Sequence, residues 1–252
     1  MRSSPFALPD RLIAPAPDPA RIAFLSRQPF AHRGLHGGVV PENSRAAFAA
    51  AIARGHGIEC DIQPSRDGIP FVFHDGRLER LTAERGPLAA RCARQLDRVA
   101  LANGEAIPRL AEVLALVDGR APLLIELKSS GRRVARLCRA VAAALADYAG
   151  PAAVMSFDPE IGHWYARHAP ETVRGLVVSE DGKRDLRGRL ERHLSLWRAR
   201  PDFLAYDVRD LPSRFAAAQR ARGIAVLTWT VRDAAARAAA AAHADEAIYE
   251  ER

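Results

Sequence analysis

Residues 57–62 read Gly-Ile-Glu-Cys-Asp-Ile, and residues 123–128 read Leu-Leu-Ile-Glu-Leu-Lys. Both segments are short and rich in aliphatic side chains, and their charged residues alternate with apolar ones. Segments of this kind are typical of β-strands, in which residues two apart point to the same side. The pattern therefore predicts two strands that each carry charged side chains on one face.

Short apolar runs recur along the chain and alternate with longer amphipathic stretches. The predicted strands are residues 29–32, 57–62, 123–128, 152–156, 173–178, 203–208, 225–230 and 246–249, with an extra short run at 70–74. The predicted helices are residues 44–54, 110–117, 132–148, 159–168, 184–198, 212–222 and 233–243. Eight strands with helical crossovers favour an α/β fold, the TIM (β/α)8 barrel. A doubly wound open sheet is the alternative, but no G-x-G-x-x-G or P-loop motif supports it.

The length of 252 residues suits one large domain. We expect residues 29–252 to form the barrel domain and residues 1–28 to form an N-terminal extension. Five prolines in that extension predict no regular structure beyond a turn or a short helix near residues 20–26. Residues 63–108 leave room for a modest excursion without a separate cap domain. The chain stops three residues after Tyr249, so we expect the last helix to be missing or truncated.

The charge balance is basic, because 37 Lys and Arg residues stand against 30 Asp and Glu residues, a formal net charge of +7. Lysine occurs only at positions 128 and 183, so nearly all of this charge comes from arginine. The arginines are scattered over predicted helices without interleaved aromatic residues. This distribution argues against nucleic-acid binding and favours anionic substrates.

The cysteines and the hydropathy pattern indicate the compartment. Cys60, Cys92 and Cys138 are odd in number and form no C-x-x-C motif, so we expect reduced, mostly buried thiols. The N-terminus has no apolar segment typical of a signal peptide, and no run is long and apolar enough to span a membrane. These features predict a soluble, cytoplasmic protein without an integral membrane segment; they do not indicate an oligomeric state.

The predicted strands at residues 57–62 and 123–128 carry three carboxylates. Active sites of TIM barrels lie at the carboxyl ends of the strands, so Glu59, Asp61 and Glu126 are expected to converge there. Two ionised groups ~4 Å apart repel by about 4 kcal/mol at an effective dielectric constant of about 20. A hard divalent cation, Mg²⁺ or Ca²⁺, would offset this repulsion, because carboxylate oxygens without paired Cys or His ligands suit such ions. Solvated or salt-bridged carboxylates are the alternative.

Two histidines lie on either side of these acids in the sequence. His32 ends the first predicted strand, and His74 ends the short run at 70–74. An imidazole has an unperturbed pKa of about 6.5, so such a pair is suited to proton transfer near neutrality. A structural role is the alternative for each histidine taken alone. Asp75 either orients His74 or serves as a turn residue before Gly76.

Arg33 and Lys128 place positive charge next to the predicted acidic cluster. A guanidinium and an ammonium beside a cation are suited to binding a phosphoryl group. Lys128 is one of only two lysines in a chain that otherwise uses arginine, which indicates that a compact charge is needed there. An ion pair with a neighbouring acid is the alternative.

The ordered set of motifs resembles the signature of the glycerophosphodiester phosphodiesterase family. The matching segments are His32-Arg33-Gly34, Pro41-Glu42-Asn43-Ser44 with Ala47-Phe48, Glu59-x-Asp61, Asp67-Gly68, His74-Asp75, Ile107-Pro108-x-Leu110-x-Glu112, Ile125-Glu126-Leu127-Lys128, Ser156-Phe157 and Thr228-Trp229-Thr230. Each motif is weak alone, but their order and spacing together are specific. Residues 244–250 depart from the family's frequent Thr-Asp ending of the last strand, so we expect substrate specificity or barrel closure to differ there.

The resemblance implies a TIM barrel of the phospholipase C-like phosphodiesterase type that cleaves glycerophosphodiesters, such as glycerophosphocholine or glycerophosphoethanolamine, to glycerol 3-phosphate and an alcohol. Such an enzyme would take part in phospholipid degradation. The resemblance implies that Glu59, Asp61 and Glu126 bind one divalent cation, Mg²⁺ or Ca²⁺. It implies that His32 and His74 are the acid/base pair. The residues that it implies for substrate binding are Arg33, Lys128, Glu42 and Trp229.

In the implied mechanism one histidine takes the proton of the glycerol 2-hydroxyl and the other protonates the leaving alcohol. A cyclic phosphate then forms and is opened by water; direct attack by water is the alternative. Two other functions stay open. A lipid-directed phosphodiesterase, of lysophospholipase D or phosphoinositide-cleaving type, would need an apolar rim that residues 63–108 do not provide. A barrel that binds phosphoesters without cleaving them predicts loss of a ligand or a histidine, and none is missing.

Overall fold

The computed structural model describes residues 5–128 and 134–251. Its strands are β1 (Phe30–Ala31), β2 (Gly57–Pro64), β3 (Pro70–Val72), β4 (Leu123–Leu127), β5 (Ala152–Ser156), β6 (Val173–Val178), β7 (Phe203–Asp207), β8 (Ala225–Val231) and β9 (Glu246–Tyr249). The order in the sheet is β1-β9-β8-β7-β6-β5-β4-β2-β3, and β1 also pairs with β2. Eight strands therefore form the closed ring of a TIM barrel, with β3 added antiparallel to β2, and the predicted fold class is confirmed.

Helices α1 and α2 precede β1, and the other helices lie between strands, as the alternating pattern predicts. They are α1 (Ala7–Ile13), α2 (Pro19–Ile22), α3 (Arg45–Ala53), α4 (Ala93–Leu96), α5 (Leu110–Val117), α6 (Val134–Leu145), α7 (Pro159–His168), α8 (Leu186–Ala199), α9 (Arg214–Ala221) and α10 (Ala234–His243). Within the described ranges, no helix combines the length and the hydropathy needed to cross a membrane. Of the three cysteines, Cys60 and Cys138 are buried and Cys92 is partly buried.

The chain divides into two compact units. The first unit contains the described residues of Gln28–Ala152 and Tyr249–Arg252, and the second contains those of Met1–Arg27 and Ala153–Ile248. In the first unit, β2 pairs in parallel with β1 and with β4. In the second unit, β5, β6, β7 and β8 pair in parallel in that order.

The excursion after β2 has its own small hydrophobic core within the first unit. It contains β3, a 3₁₀ turn at Leu88–Ala90 and the short helix α4. Its buried side chains are Phe71, Phe73, Leu78, Leu88, Ala93, Leu96, Val99, Leu101 and Ile107. Burial of this much apolar surface fixes the segment that leads from β2 to α5. The segment includes the loop that carries His74.

Several predicted boundaries differ from the structure for local reasons. The helix predicted at 212–222 begins at Arg214, because the hydroxyl of Ser213 caps it by accepting from the backbone N–H groups of Phe215 and Ala216. The helix predicted at 132–148 ends at Leu145, and residues 132 and 133 lie outside the described ranges. The strand predicted at 29–32 is only Phe30–Ala31, because Arg33 adopts a left-handed conformation with φ 56°.

The prediction that residues 1–28 form little regular structure is wrong for α1. Pro9 occupies the third position of this helix, where a backbone N–H has no partner within the helix, so the proline causes no loss. Asp10 of α1 is buried and accepts hydrogen bonds from Nδ1 of His193, Nε1 of Trp197 and Nε2 of Gln219, at 2.9, 2.8 and 2.8 Å. A buried carboxylate with three donors anchors α1 to α8 and α9 within the second unit.

We expect Asp10→Ala to reduce the free energy of unfolding by about 2–5 kcal/mol, because it leaves three buried donors without an acceptor. Urea denaturation followed by circular dichroism measures this loss. Asp18→Ala is the matched control, since Asp18 caps α2 through Ala20 N–H at the surface, and its loss costs about 1 kcal/mol. Equal losses for the two variants would contradict an anchoring role for Asp10.

Candidate active site

Three buried carboxylates meet on neighbouring strands of the first unit. Glu59 and Asp61 lie on the same face of β2, and the parallel register pairs Asp61 with Glu126 of β4. One carboxylate oxygen from each of the three residues lies within 4.8 Å of the others. The residues that the sequence predicts as metal ligands are therefore brought together.

Two cationic side chains neutralise part of this charge. The Nζ atom of Lys128 lies 2.8 Å from Oδ1 of Asp61 and 2.5 Å from Oε1 of Glu126. The Nε atom of Arg33 lies 3.1 Å from Oδ2 of Asp61. When all three carboxylates are ionised, the two cations leave one negative charge in excess inside the buried cluster. The predicted position of Arg33 and Lys128 beside the acids matches the geometry.

The buried charges shift the pKa values of the acids in opposite directions. Burial raises the pKa of Glu59 well above its ordinary value, and the charges of Asp61 and Glu126 raise it further. Burial also raises the pKa of Glu126 to about 7, against the opposing effect of Lys128. Burial would raise the pKa of Asp61 too, but Lys128 and Arg33 hold it at about 2. Two cations therefore favour the ionised form of one acid and do not suffice for all three.

The loop after β1 attaches the cluster to the backbone. The backbone N–H of Arg33 donates to Oε2 of Glu59 at 3.0 Å, which the left-handed conformation of Arg33 permits. Asn43 also has a left-handed backbone, and its Nδ2 donates to Oδ2 of Asp61 at 2.9 Å. Gly34 has φ +79°, and a Cβ there would lie 2.8 Å from the Cβ of Ala47. Only glycine allows this close approach of the loop to α3.

His32 is buried at the edge of the cluster. Its Nδ1 atom lies 3.1 Å from Oε2 of Glu250, and its Nε2 atom lies 4.0 Å from Oε2 of Glu59. Its backbone N–H donates to the carbonyl oxygen of Tyr249 at 2.8 Å. Burial lowers the pKa of His32, and the hydrogen bond with Glu250 partly offsets this effect. The residues that depart from the family's usual strand ending therefore contact this histidine.

His74 follows β3 in a loop held by side chains of the first unit. Its Nδ1 atom lies 2.7 Å from Oδ1 of Asp75, so the structure favours the orienting role over the turn role for Asp75. Gln63 follows Asp61 on the same face of β2, and its Nε2 donates to the carbonyl oxygens of Phe73, His74 and Asp75 at 3.3, 2.7 and 2.5 Å. An electrostatic effect of His74 also contributes to the lowered pKa of Asp61.

Arg80 joins Asp75, which contacts His74, to Glu42, which contacts Arg33. The sequence analysis does not predict this residue as part of the site. Its Nε donates to Oδ2 of Asp75 at 2.5 Å, and its two terminal nitrogens donate to Glu42 at 2.8 and 2.7 Å. Glu42 in turn accepts from Nη1 of Arg33 at 2.8 Å. Both carboxylate oxygens of Glu42 therefore bind guanidinium groups. Burial raises the pKa of Glu42, but the hydrogen bonds and charges of Arg80 and Arg33 lower it by more.

Trp229 belongs to the second unit, on β8. Its Nε1 donates to the carbonyl oxygen of Ala205 at 2.9 Å. Its ring packs edge-on against Phe157, with the centroids 5.5 Å apart, and Phe157 is about half exposed. These contacts fix the indole within its own unit, and its contact with substrate stays a prediction.

Comparison with known proteins identifies the family. The sequence profile of the glycerophosphoryl diester phosphodiesterase family matches residues 32–249. This range covers the carboxylate cluster, both histidines and all nine strands except β1. The chain therefore belongs to this family, whose members are phosphoric diester hydrolases.

Individual relatives agree with this assignment over shorter stretches. A glycerophosphodiester phosphodiesterase of Bacillus altitudinis is 39% identical over 111 residues, 40% of this chain and 45% of the relative. One of Caldanaerobacter subterraneus subsp. tengcongensis is 36% identical over 108 residues, 39% of this chain and 44% of the relative. The chain thus matches less than half the length of these two curated relatives.

Solved structures share the fold along most of the chain. A phosphodiesterase of Oleispira antarctica, solved in complex with the product sn-glycerol-3-phosphate, superposes with a TM-score of 0.77 at 24% identity, covering 90% of this chain and 93% of its own. A glycerophosphodiester phosphodiesterase of Agrobacterium tumefaciens gives a TM-score of 0.69 at 25% identity, covering 89% of this chain and 96% of its own. The barrel is thus the fold of both proteins.

Proposed function

We propose that this protein hydrolyses glycerophosphodiesters to glycerol 3-phosphate and an alcohol, with one divalent cation and two acid/base histidines. The observation that carries the proposal is the cluster of Glu59, Asp61 and Glu126, whose oxygens converge within 4.8 Å. Family membership supports the reaction class, and the contacts around the cluster support the individual roles.

The three carboxylates fit a hard divalent cation, Mg²⁺ or Ca²⁺. They offer only oxygen donors, and in the fully ionised form that binds a cation they carry one negative charge in excess of Arg33 and Lys128. That excess would repel an anionic phosphodiester, whereas two further positive charges reverse the sign and attract it. When bound, such a cation supplies Lewis-acid stabilisation of the charge on the phosphate.

His32 and His74 would move the protons of the reaction. Each presents Nδ1 to a carboxylate, Glu250 for His32 and Asp75 for His74. A carboxylate that accepts from Nδ1 fixes the ring orientation and leaves Nε2 to take or to give a proton. One imidazole would thus remove a proton from the attacking hydroxyl while the other protonates the leaving alcohol.

Arg33 and Lys128 would stabilise the negative charge that accumulates on phosphorus in the transition state. Both side chains are already held by carboxylates, so little reorganisation is needed when substrate binds. Glu42 would act mainly through Arg33, because its oxygens are engaged by Arg33 and Arg80.

The test is release of glycerol 3-phosphate from glycerophosphocholine and glycerophosphoethanolamine, with Mg²⁺ or Ca²⁺ added, measured through coupled glycerol-3-phosphate dehydrogenase. We expect turnover of both substrates with at least one of the two metals. A parallel reaction with lysophosphatidylcholine covers the lipid-directed alternative. Cleavage of lysophosphatidylcholine alone would replace the proposed substrate class, and no cleavage under any condition would contradict catalysis.

We expect Arg80→Ala to lower kcat about tenfold or more while KM changes little, because both Asp75 and Glu42 lose their common partner. Arg80→Lys should restore only part of kcat, since an ammonium cannot form the paired hydrogen bonds with Glu42. Arg77→Ala is the matched control, because Arg77 is an exposed arginine of the same loop that pairs with Glu79. A change of the same size in Arg77→Ala would argue against a positioning role for Arg80.

A further inference from the structure

Helices α1 and α8 of the second unit turn leucine side chains toward solvent. Leu186, Leu190 and Leu194 recur every four residues along α8 and are 83, 45 and 51% exposed. Leu8 and Leu12 of α1 are 66 and 73% exposed. We call these five residues the leucine surface. A single exposed leucine is ordinary, but five on two neighbouring helices indicate a binding surface.

The two helices pack directly on each other, so their leucines are held in a fixed arrangement. Phe6 stacks on the imidazole of His193 with ring centroids 4.0 Å apart, and Asp10 accepts from His193 and from Trp197. Leu8 and Leu12 each lie two positions from Asp10, which is about 200° around the helix. Both leucines therefore project from the side of α1 opposite its contacts with α8.

The same helices carry an excess of positive charge. Arg11 of α1 and Arg187 and Arg189 of α8 are exposed, whereas the exposed Arg198 is paired with Glu160. Of the acids within α1 and α8, Asp10 is buried and Glu191 is paired with Lys183. Apolar side chains with arginines around them are the composition of helices that lie in the interface of an anionic membrane.

A cavity of about 700 Å³ next to the two helices adds to this charge. Its lining includes Arg11, Arg189, Arg192 and Arg222. Seven arginines line the cavity against three acids, Asp10, Glu180 and Asp210, and Arg192 is already paired with Glu180 at 3.2 Å. Phosphate oxygens are strong acceptors for guanidinium groups, so the cavity suits an anionic headgroup.

A second copy of the chain fits the leucine surface less well. A two-fold interface brings the same patch of both copies together. Arg187 and Arg189 would then face the arginines of the other copy, with Glu191 already paired. Like charges across an interface disfavour association, whereas an anionic surface attracts them.

We propose that the leucine surface and the arginines around it dock the protein on a membrane that contains anionic phospholipids. The leucines insert among the acyl chains near the headgroups, and the arginines bind lipid phosphates. This docking is independent of the proposed catalytic activity, because every residue that it uses belongs to the second unit.

The experiment is co-sedimentation of the full chain with vesicles of phosphatidylcholine alone and of phosphatidylcholine mixed with phosphatidylglycerol. We expect binding to the mixed vesicles, weak binding to phosphatidylcholine alone, and a decrease in binding as salt is raised. Leu190→Ser combined with Leu194→Ser should lower the partition coefficient about tenfold or more. Arg187→Ala combined with Arg189→Ala should lower it on the mixed vesicles only.

Matched controls are Ile69→Ser and Arg98→Ala, an exposed apolar residue and an exposed arginine of the first unit, which should bind like the wild type. Leu186→Ser, at the most exposed of the five leucines, repeats the test with the smallest risk to folding. Unchanged binding in the leucine variants, or equal binding to both vesicle types, would overturn the proposal. So would a dimer in sedimentation velocity that the leucine substitutions dissociate, since the surface would then belong to a second copy.

Discussion

Replacement of His32 or His74 by alanine is expected to lower kcat for glycerophosphocholine by at least about 10³-fold, because each variant lacks one of the two proton-transfer groups. Both imidazoles have Nδ1 on a carboxylate, so an alanine removes a group that is already oriented for the reaction. Coupled detection of glycerol 3-phosphate measures the loss. Binding of Mg²⁺ or Ca²⁺, followed by calorimetry, should be retained in both variants.

The control for the histidine variants is His168→Ala, which removes an exposed histidine at the end of α7. It should retain the activity of the wild type. The losses of kcat in His32→Ala and His74→Ala should not add up in the double variant, because an enzyme without its catalytic base gains little from its catalytic acid. Substantial turnover by His32→Ala or His74→Ala would remove that residue from the proposed mechanism.

Removal of the divalent cation is expected to have an effect of similar size. Dialysis against EDTA should abolish activity, and added Mg²⁺ or Ca²⁺ should restore it. Asp61→Asn should lower activity by roughly 10³-fold at saturating metal, since the loss of one charge weakens both cation binding and phosphate stabilisation. Full activity in excess EDTA would contradict a metal-dependent reaction.

A second variant separates loss of the metal from loss of stability. Asp61 pairs with Lys128 and Arg33, so Asp61→Asn also leaves two buried cations with a weaker partner. Glu59→Gln avoids this difficulty, because burial and neighbouring acids already raise the pKa of Glu59 and favour its neutral form. It should unfold at nearly the wild-type temperature and still lose metal binding. Asp97→Asn, at an exposed ion pair with Arg109, is the control.

The sequence was sufficient for the part of the site that depends on strand geometry. Side chains alternate along a strand, so Glu59 and Asp61 share a face whatever the rest of the chain does. Glu126 joins them because β4 pairs with β2 in parallel, which the barrel architecture implies for these neighbouring strands. Pattern and topology together therefore predict the convergence of the three acids.

The residues that orient these groups could not be found in the same way. Arg80 reaches Glu42 across 38 positions of sequence, and Glu250 reaches His32 across 218. The repeat of apolar and polar residues along a helix or a strand predicts neither contact. Both partners have long side chains, which can reach many residues that are distant in the sequence. The helix α1 was misjudged for a different reason: Pro9 disfavours a helix interior, but it stands in the first turn.

The alternation along β2 has one more consequence for the behaviour of the protein during refolding. Glu59 and Asp61 depend on the pairing of β2 with β4, and a slip of one residue would present Ile58, Cys60 and Ile62 in their place. A misaligned chain would then be inactive, not merely slower. The specific activity of a refolded preparation should therefore be proportional to the fraction of molecules in which β2 and β4 have paired in the correct register.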